Sequence, residues 1–161
     1  MTRRLSGFGL SAALMSGWDV RITRRSESDV TVLGPEPAPV SGFVHPVLHA
    51  ATIAMPPQIG DYGSQVVPLL GLSDVFIAMV EFNPADGEST MFRDGFPKLR
   101  ASEFDPAISQ RVLPSRSGTQ RFFSVSERAF GLFCVIGSHI RRTTLVPKLN
   151  QFLAQIEVEP K

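Results

Sequence analysis

Two apolar segments separated by a short polar turn dominate the C-terminal half of the chain. The first is Thr119–Val125 and the second is Ala129–Ile136, and both are rich in aromatic and β-branched residues. Ser126-Glu127-Arg128 joins them, and a connection this short and polar is typical of a β-hairpin. The second segment is apolar at both odd and even positions, so both of its faces need to be covered. We therefore predict a β-sheet at the centre of the fold, with other layers on it.

A third apolar segment, Val75–Phe82, is likewise apolar at both odd and even positions, and it predicts another central strand. Glu81 is the exception within it. A carboxylate that is taken out of water needs a partner, a sheet edge or a water molecule. Glu81 is therefore a candidate functional residue.

The N-terminal part of the chain contains further strand patterns. Phe8–Leu14 alternates weakly, and Trp18–Arg24 alternates cleanly between apolar and polar residues. Because Ser16-Gly17 lies between them, these two segments are predicted to form an N-terminal hairpin. Val47–Ala54 predicts one more strand.

Two long segments between the strands are predicted to be loops. Residues 26–46 contain four prolines and two glycines, which predicts an exposed loop or insertion. Residues 86–114 scatter phenylalanines among glycines and prolines, and we expect an ordered loop that lies over the sheet with at most one helical turn. Ser64 is predicted to cap a short helix that ends at Leu70.

A C-terminal helix is predicted after the hairpin. Thr143 or Thr144 is expected to cap it, with Pro147 in its first turn. Its apolar stripe, which is expected to pack on the sheet, comprises Leu145, Leu149, Phe152 and Leu153. A chain of 161 residues fits one domain. The predicted fold is a single α+β domain over residues 1–161, with a mostly antiparallel sheet of roughly five to seven strands and the helix on one face.

The composition narrows the class of protein. Apolar residues at 43% and charged residues at 19% are typical of a globular chain. A formal charge of +1 argues against nucleic acid as a partner, because binding to phosphates needs a concentration of basic residues. No apolar run approaches the ~18 residues of a membrane-spanning helix. Cys134, the single cysteine, is predicted to be a buried apolar side chain, and a lone cysteine fits a cytoplasmic location.

Neither a catalytic motif nor a metal site is predicted. Ser138 and His139 are adjacent, and neighbours on a strand point to opposite faces, so they do not predict a catalytic triad. His45 and His49 are separated by Pro46, and no cysteine or further histidine nearby completes a set of metal ligands. We therefore nominate no catalytic residue, no metal ligand and no cofactor.

One turn is a candidate for ligand binding. Gly60–Ser64 precedes the predicted short helix, and backbone N–H groups at the start of a helix can hold an anion. The segment lacks the glycine pattern of nucleotide-binding loops, so a plain turn with a helix cap is the other interpretation. The candidate ligand-binding residues are Asp61, Tyr62, Ser64, Glu81 and His139.

The chain resembles two groups of proteins. Gly9–Trp18 resembles the opening of PsbP-like domains, in which a first strand ends in a turn and a Gly-Trp pair begins the second. The hairpin followed by a C-terminal helix also suits their antiparallel sheet sandwiched by helices. The whole chain is similar to small, uncharacterised actinobacterial proteins, in which segments like Gly60–Ser64, Arg121–Phe123 and Gly137–His139 recur in this order. The first resemblance implies a binding or assembly module rather than an enzyme.

Two functions from different classes follow. The first is a non-catalytic binding or assembly module that engages a protein partner, with the loop 26–46 and the segment Met91–Phe104 as contact surfaces. The alternative is a small-molecule-binding protein or enzyme with a pocket under the 86–114 loop. Its polar groups would be Asp61, Tyr62, Glu81 and His139, and their convergence in one cavity would favour it.

Overall fold

The computed structural model describes residues 3–24, 45–83, 90–108 and 113–160, and those ranges contain nine β-strands and one α-helix. The strands are β1 (Arg4–Gly7), β2 (Leu10–Ala13), β3 (Asp19–Arg24), β4 (Pro46–Ala51), β5 (Val75–Phe82), β6 (Arg93–Asp94), β7 (Ser117–Val125), β8 (Arg128–Ile136) and β9 (Glu157–Val158). The helix is α1 (Arg142–Leu153), and short 3-10 helices form at Val67–Leu69 and Ala101–Glu103. The predicted loop over 26–46 lies outside the described residues except for its last two, and Pro46 already belongs to β4.

Six strands form the main sheet in the order β3-β4-β5-β8-β7-β6, and every neighbouring pair is antiparallel except β6 and β7. The two segments predicted to be central are β5 and β8, which pair along their whole length from Val75↔Ile136 to Phe82↔Ala129. Nearly all of their side chains are buried on both faces. The predictions of a mostly antiparallel α+β fold and of two central strands are thus confirmed.

The β7–β8 hairpin is also confirmed, and its turn is shorter than predicted. Ser126 and Glu127 alone form the connection, with φ angles of 54° and 59°. Positive φ at both turn residues matches the right-handed twist of the flanking strands. Arg128 consequently belongs to β8 rather than to the turn.

The predicted N-terminal hairpin is wrong. β2 pairs with β1 and β9 in a separate three-stranded sheet, whereas β3 pairs with β4 at the edge of the main sheet. The first hairpin turns at Phe8 and Gly9, whose φ angles of 54° and 77° reverse the chain one strand earlier than expected. The turn at Gly17 instead carries the chain from one sheet to the other.

A different layer covers each face of the main sheet. On one face, α1 and the small sheet pack against side chains such as Ile77 and Leu132, and the Trp18 ring stacks on Phe152 at 4.4 Å. On the other face, the segment between β4 and β5 buries its apolar residues against Phe76 and Val135. The two central strands are therefore shielded from water on both sides.

The predicted helices differ from the observed ones in detail. Helix α1 begins at Arg142 without a side-chain cap, so the threonine cap is wrong, and Pro147 falls in the second turn. Of the short helix predicted from Ser64 only Val67–Leu69 forms, as a 3-10 helix. No helix in the described ranges has the length and apolar character needed to cross a membrane.

The described part of the 86–114 segment agrees with the prediction of an ordered covering loop, except that it also contains the edge strand β6, which was not predicted. It contains one helical turn, and phenylalanines anchor it to the sheet: Phe104 is buried and the Phe96 ring lies 4.8 Å from that of Phe123. This segment is therefore mainly a covering layer of the core.

Candidate functional site

Glu81 has an ionic partner in Arg128. The Arg128 Nε and Nη2 atoms donate to Oε1 and Oε2 of Glu81, both at 2.8 Å. The arginine side chain is 2% exposed and the glutamate side chain 0%. Phe130 lies opposite Glu81 in the sheet register, and Arg128 is two residues before it, so the arginine and the carboxylate share one face.

Arg128 also connects the two sheets. Its Nη2 donates to the Phe8 carbonyl at 3.0 Å, and its Nη1 donates to the Glu159 carbonyl at 3.1 Å. A Cβ atom on Gly9 would lie only 2.5 Å from Nη1, so a glycine at that turn lets the chain approach the guanidinium. The Glu81–Arg128 pair thus has a structural role, which fixes the first hairpin and the C-terminal strand on the main sheet.

A cavity of about 590 Å³ opens on the sheet face opposite α1, beside the edge strand β3. Strands β3 and β4 form one wall and the segment 57–65 forms the other. The side chains and backbone that line it belong to Arg21, Thr23, Arg24, Val47, His49, Pro57, Gln58, Ile59, Gly60, Asp61, Ser64 and Gln65. Its volume is within the range of small-molecule sites.

Arg21 is held firmly in the wall of this cavity. Its Nη1 donates to the Pro56 carbonyl at 2.7 Å, and its Nη2 donates to the Met55 carbonyl at 2.5 Å and to Asp19 Oδ2 at 3.2 Å. The same carboxylate accepts the Met55 N–H at 2.8 Å. This network fixes the chain after β4 against β3, and it holds the guanidinium in one orientation.

His49 lies opposite Arg21 in the sheet register and joins the two walls. Its Nε2 is 3.0 Å from the Asp61 carbonyl oxygen. Because a carbonyl only accepts, Nε2 carries the proton of the neutral ring and Nδ1 is an acceptor. Nδ1 has no hydrogen-bond partner among the described residues. Burial lowers the pKa of His49, although the Asp61 carbonyl and carboxylate oppose the shift, so the ring is neutral near pH 7.

The segment opposite the sheet depends on glycines. Gly60 and Gly63 have φ angles of 77° and 76°. A Cβ atom on Gly60 would lie 2.7 Å from Ser64 Oγ, and one on Gly63 would overlap the Phe76 ring. The predicted turn is therefore present, and it brings Ser64 and Asp61 to the cavity by a close approach that only glycine permits.

The structure disperses the five nominated residues. Asp61 and Ser64 line the cavity. Tyr62 is 37% exposed and meets the Phe133 ring edge-on at 6.1 Å. His139 lies in the loop between β8 and α1, where its N–H donates to the Ser115 carbonyl at 2.6 Å. Glu81 is bound to Arg128. Asp61, Tyr62, Glu81 and His139, the four polar groups expected to share a pocket, therefore do not come together.

Arg21, Arg24 and His49 line one cavity, although their sequence pattern did not predict a common site. The clean alternation of β3 does place Arg21 on one face with Thr23. No local signal indicates that residues 57–65 fold over that face.

A second feature is a group of exposed aliphatic side chains at one end of the main sheet. Leu69, Leu72 and Ile140 are 57%, 54% and 90% exposed, and we name these three residues the aliphatic surface. Leu69 ends the 3-10 helix Val67–Leu69, and Leu72 and Ile140 lie on two adjoining loops, one before β5 and one after β8. Isolated exposed leucines are ordinary, whereas neighbouring ones indicate an interaction site.

The two loops of the aliphatic surface are firmly joined. The Gly137 N–H donates to the Asp74 carbonyl at 2.8 Å, and Arg141 Nη1 donates to Ser73 Oγ at 3.1 Å. Arg116 reaches across to the first loop, where it donates to the carbonyls of Val67, Pro68 and Leu70. These bonds hold the exposed side chains on a defined backbone.

Other chemistry is not indicated by the described ranges. They contain no group of three or more histidine, cysteine and acidic residues arranged to hold a metal ion. Cys134 is fully buried, as predicted, and burial raises the pKa of its thiol, which opposes nucleophilic reactivity.

Comparison with known proteins gives no family assignment. No protein-family model matches the chain, and neither the curated proteins nor the solved structures yield a similar one. The resemblances to PsbP-like domains and to actinobacterial proteins therefore stay predictions. The cavity and the aliphatic surface are the two features that bear on function.

Proposed function

We propose that this chain is a non-catalytic binding or assembly module that engages a protein partner through the aliphatic surface. The observation that carries the proposal is the exposure of Ile140, at 90%, and of Leu72, at 54%, on two loops that are hydrogen-bonded to each other. Burying one such side chain contributes about 1.5–3 kcal/mol. Because the loops are already ordered, little conformational entropy is lost on binding. A cytoplasmic location, which a lone cysteine fits, belongs to the same proposal.

The border of the surface indicates the chemistry of the partner. Arg116 and Arg141 flank the aliphatic side chains, and the contacts of Arg116 are to carbonyl oxygens rather than carboxylates. A partner with apolar side chains inside an acidic rim would complement such a surface. The segment Met91–Phe104 offers less, since Leu99 and Phe104 are buried in the core.

The test is a quantitative pull-down from extracts of the native host with a matched control. The variant Leu72→Glu/Ile140→Glu places two charges on the aliphatic surface. The control Leu14→Glu/Gln151→Glu places two charges on exposed positions away from this surface, since Gln151 lies near the far end of α1. We expect a partner that co-purifies in stoichiometric amount with the native protein and the control, and binds the surface variant at least about 10-fold more weakly. Equal binding to both variants, or no stoichiometric partner, would refute the proposal.

The alternative function, a small-molecule-binding protein or enzyme, draws support from a different observation. The cavity of about 590 Å³ contains Asp61 and Ser64 and lies beside β3 rather than under the 86–114 segment. Thermal unfolding of the native protein against a metabolite library tests this function. A ligand that raises the midpoint and loses its effect in a cavity variant would support it, and a library without such a ligand would count against it.

A further inference from the structure

The outer edge of β7 is covered at its two ends. One edge of this strand pairs with β8 along its whole length. On the other edge, Gly118 and Asp105 exchange two hydrogen bonds, of 3.1 Å and 2.8 Å, near the start of the strand. Near its end, the Gly95 N–H donates to the Ser124 carbonyl at 2.8 Å, beside the short parallel strand β6. Residues 119–122 lie between these two contacts.

Three backbone groups in this gap point outward without a partner. Alternate residues of a strand direct their N–H and carbonyl groups to the same edge, so Gln120 and Phe122 bond outward as Gly118 and Ser124 do. In a parallel ladder, Arg93 as the partner of Phe123 is placed to bond the Phe122 carbonyl. The N–H of Phe122 and both backbone groups of Gln120 receive no hydrogen bond from the described residues. Another extended backbone complements such a row of groups.

A cavity of about 300 Å³ lies along the same gap. The residues that line it are Met91, Arg93, Gln120, Arg121 and Phe122. Gln120 and Met91 are exposed, Met91 at 58%. The edge is therefore accessible at the position where its backbone groups are unpaired.

One face of the sheet beside this gap is aromatic. The Phe122 ring lies 5.4 Å from the Phe92 ring and 6.1 Å from the Phe82 ring, and all three side chains are half-buried. We name these three residues the phenylalanine cluster. An apolar side chain that enters the gap on this face would cover what the cluster leaves exposed.

The opposite face beside the gap carries a positive charge. Paired residues of a ladder share a face, as the bond from Ser124 Oγ to Asp94 Oδ1 shows, so Arg93 lies on the face of its partner Phe123. Arg93 is exposed, and it forms no ion pair with a described carboxylate. Arg121 is on the same face and is already bound to Glu103. Arg93 is thus the group that can attract an acidic residue.

We propose that the open edge of β7 binds an extended peptide from a protein partner, which adds a strand beside residues 119–122 and alternates apolar and acidic side chains. The peptide backbone bonds to Gln120 and Phe122. Because successive side chains of a strand point to opposite faces, one apolar residue packs on the phenylalanine cluster while its neighbour presents a carboxylate to Arg93. This site is separate from the aliphatic surface, so the inference goes beyond the proposed function and does not depend on it.

The experiment is an NMR titration of the isotope-labelled full chain with blocked pentapeptides. For a peptide that alternates glutamate and phenylalanine, we expect saturable shifts of the Gln120 and Phe122 amide signals. Both amides should also exchange their hydrogens more slowly, because each N–H gains an acceptor. The same peptide with methylated backbone nitrogens should bind at least about 10-fold more weakly, since it loses its donors. A peptide that alternates lysine and phenylalanine should bind more weakly as well, because Arg93 repels it.

Matched variants locate the site. Gln120→Pro removes an outward N–H without breaking the ladder to β8, and its ring occupies the edge. It should therefore bind the glutamate peptide about 10-fold more weakly than Gln120→Ala, which keeps the N–H. Arg93→Glu should lose about 10-fold, and Arg3→Glu is the control because Arg3 is exposed and precedes β1 in the small sheet. An unchanged far-UV spectrum of each variant confirms that the fold is intact.

Each part of the proposal can be overturned. Equal binding of the methylated and unmethylated peptides would exclude an added strand. Equal binding of the glutamate and lysine peptides, or equal losses in Arg93→Glu and Arg3→Glu, would exclude an acidic partner. Absence of saturable binding would overturn the site, and so would self-association in sedimentation that Gln120→Pro abolishes, because the occupant would then be a second copy of the chain. The variant Leu72→Glu/Ile140→Glu should bind the peptide like the native protein, so these results are distinct from those of the pull-down.

Discussion

Removing one partner of the buried Glu81–Arg128 pair is expected to destabilise the protein more than removing both. The two side chains are 0% and 2% exposed and are joined by two hydrogen bonds of 2.8 Å. A buried charge that loses its partner keeps its full desolvation cost, and breaking such pairs typically costs about 3–5 kcal/mol. Replacing both members with apolar residues removes the desolvation cost of the two charges together with their electrostatic attraction.

The structure ranks the single variants. Glu81→Leu leaves the guanidinium buried, but Arg128 still donates to the Phe8 and Glu159 carbonyls, so we expect a loss of about 3 kcal/mol. Arg128→Met leaves the carboxylate buried and also deprives both carbonyls of their donor, so we expect about 5 kcal/mol.

The double variant Glu81→Leu/Arg128→Met carries no buried charge. Its remaining loss of stability comes from the Phe8 and Glu159 carbonyl groups, which no longer have a donor. Because both carbonyls lie near the surface, this loss is about 2–3 kcal/mol in total. The sum of the single losses is about 8 kcal/mol, so a coupling of about 5 kcal/mol is expected between the two side chains.

Urea unfolding is the assay, because urea does not screen ion pairs as guanidinium chloride does. The single tryptophan, Trp18, stacks on Phe152 of α1, so its fluorescence reports the packing of the helix on the sheet. A loss below about 1 kcal/mol for both single variants, or a double variant as unstable as the sum of the single ones, would refute the reasoning.

Three further predictions concern the core and the cavity. The free energy of unfolding should be constant above about pH 6.5 and fall by at most about 1.4 kcal/mol per pH unit below it. Folding lowers the pKa of His49 from 6.5, so the unfolded chain takes up a proton on this residue before the folded protein does. A slope in His49→Gln equal to that of the native protein would contradict this explanation. Gly63→Ala should cost about 3 kcal/mol or more, because its Cβ would overlap the Phe76 ring. The control Gly17→Ala, with a similar φ and open space, should cost about 1 kcal/mol in the same urea assay, and equal losses would disprove the contact. Cys134 should react with a thiol reagent only at the rate of unfolding, since burial raises the pKa of its thiol, and rapid labelling of the folded protein would show that the core is open.

Much of the fold could be predicted because its signals are local. Strands β5 and β8 are apolar at both odd and even positions, and the apolar residues of α1 recur every three or four positions. Such patterns fix which segments are strands and which faces are buried. They also indicated that Glu81 needs a partner, because the cost of burying a carboxylate is a property of the residue itself.

The pairing of elements far apart in the chain was decided only by the tertiary structure. β2 pairs with β9 rather than with β3, and Glu81 finds Arg128 at a separation of 47 residues. Likewise, β3 and the segment 57–65 meet across a cavity whose walls are joined by His49. Several pairings satisfy the same alternation of apolar and polar residues, and the packing of all layers together selects one of them. The sequence thus determined the longer strands, the helix and the buried faces, while the short strands β1, β6 and β9 and both candidate binding surfaces depend on the tertiary arrangement.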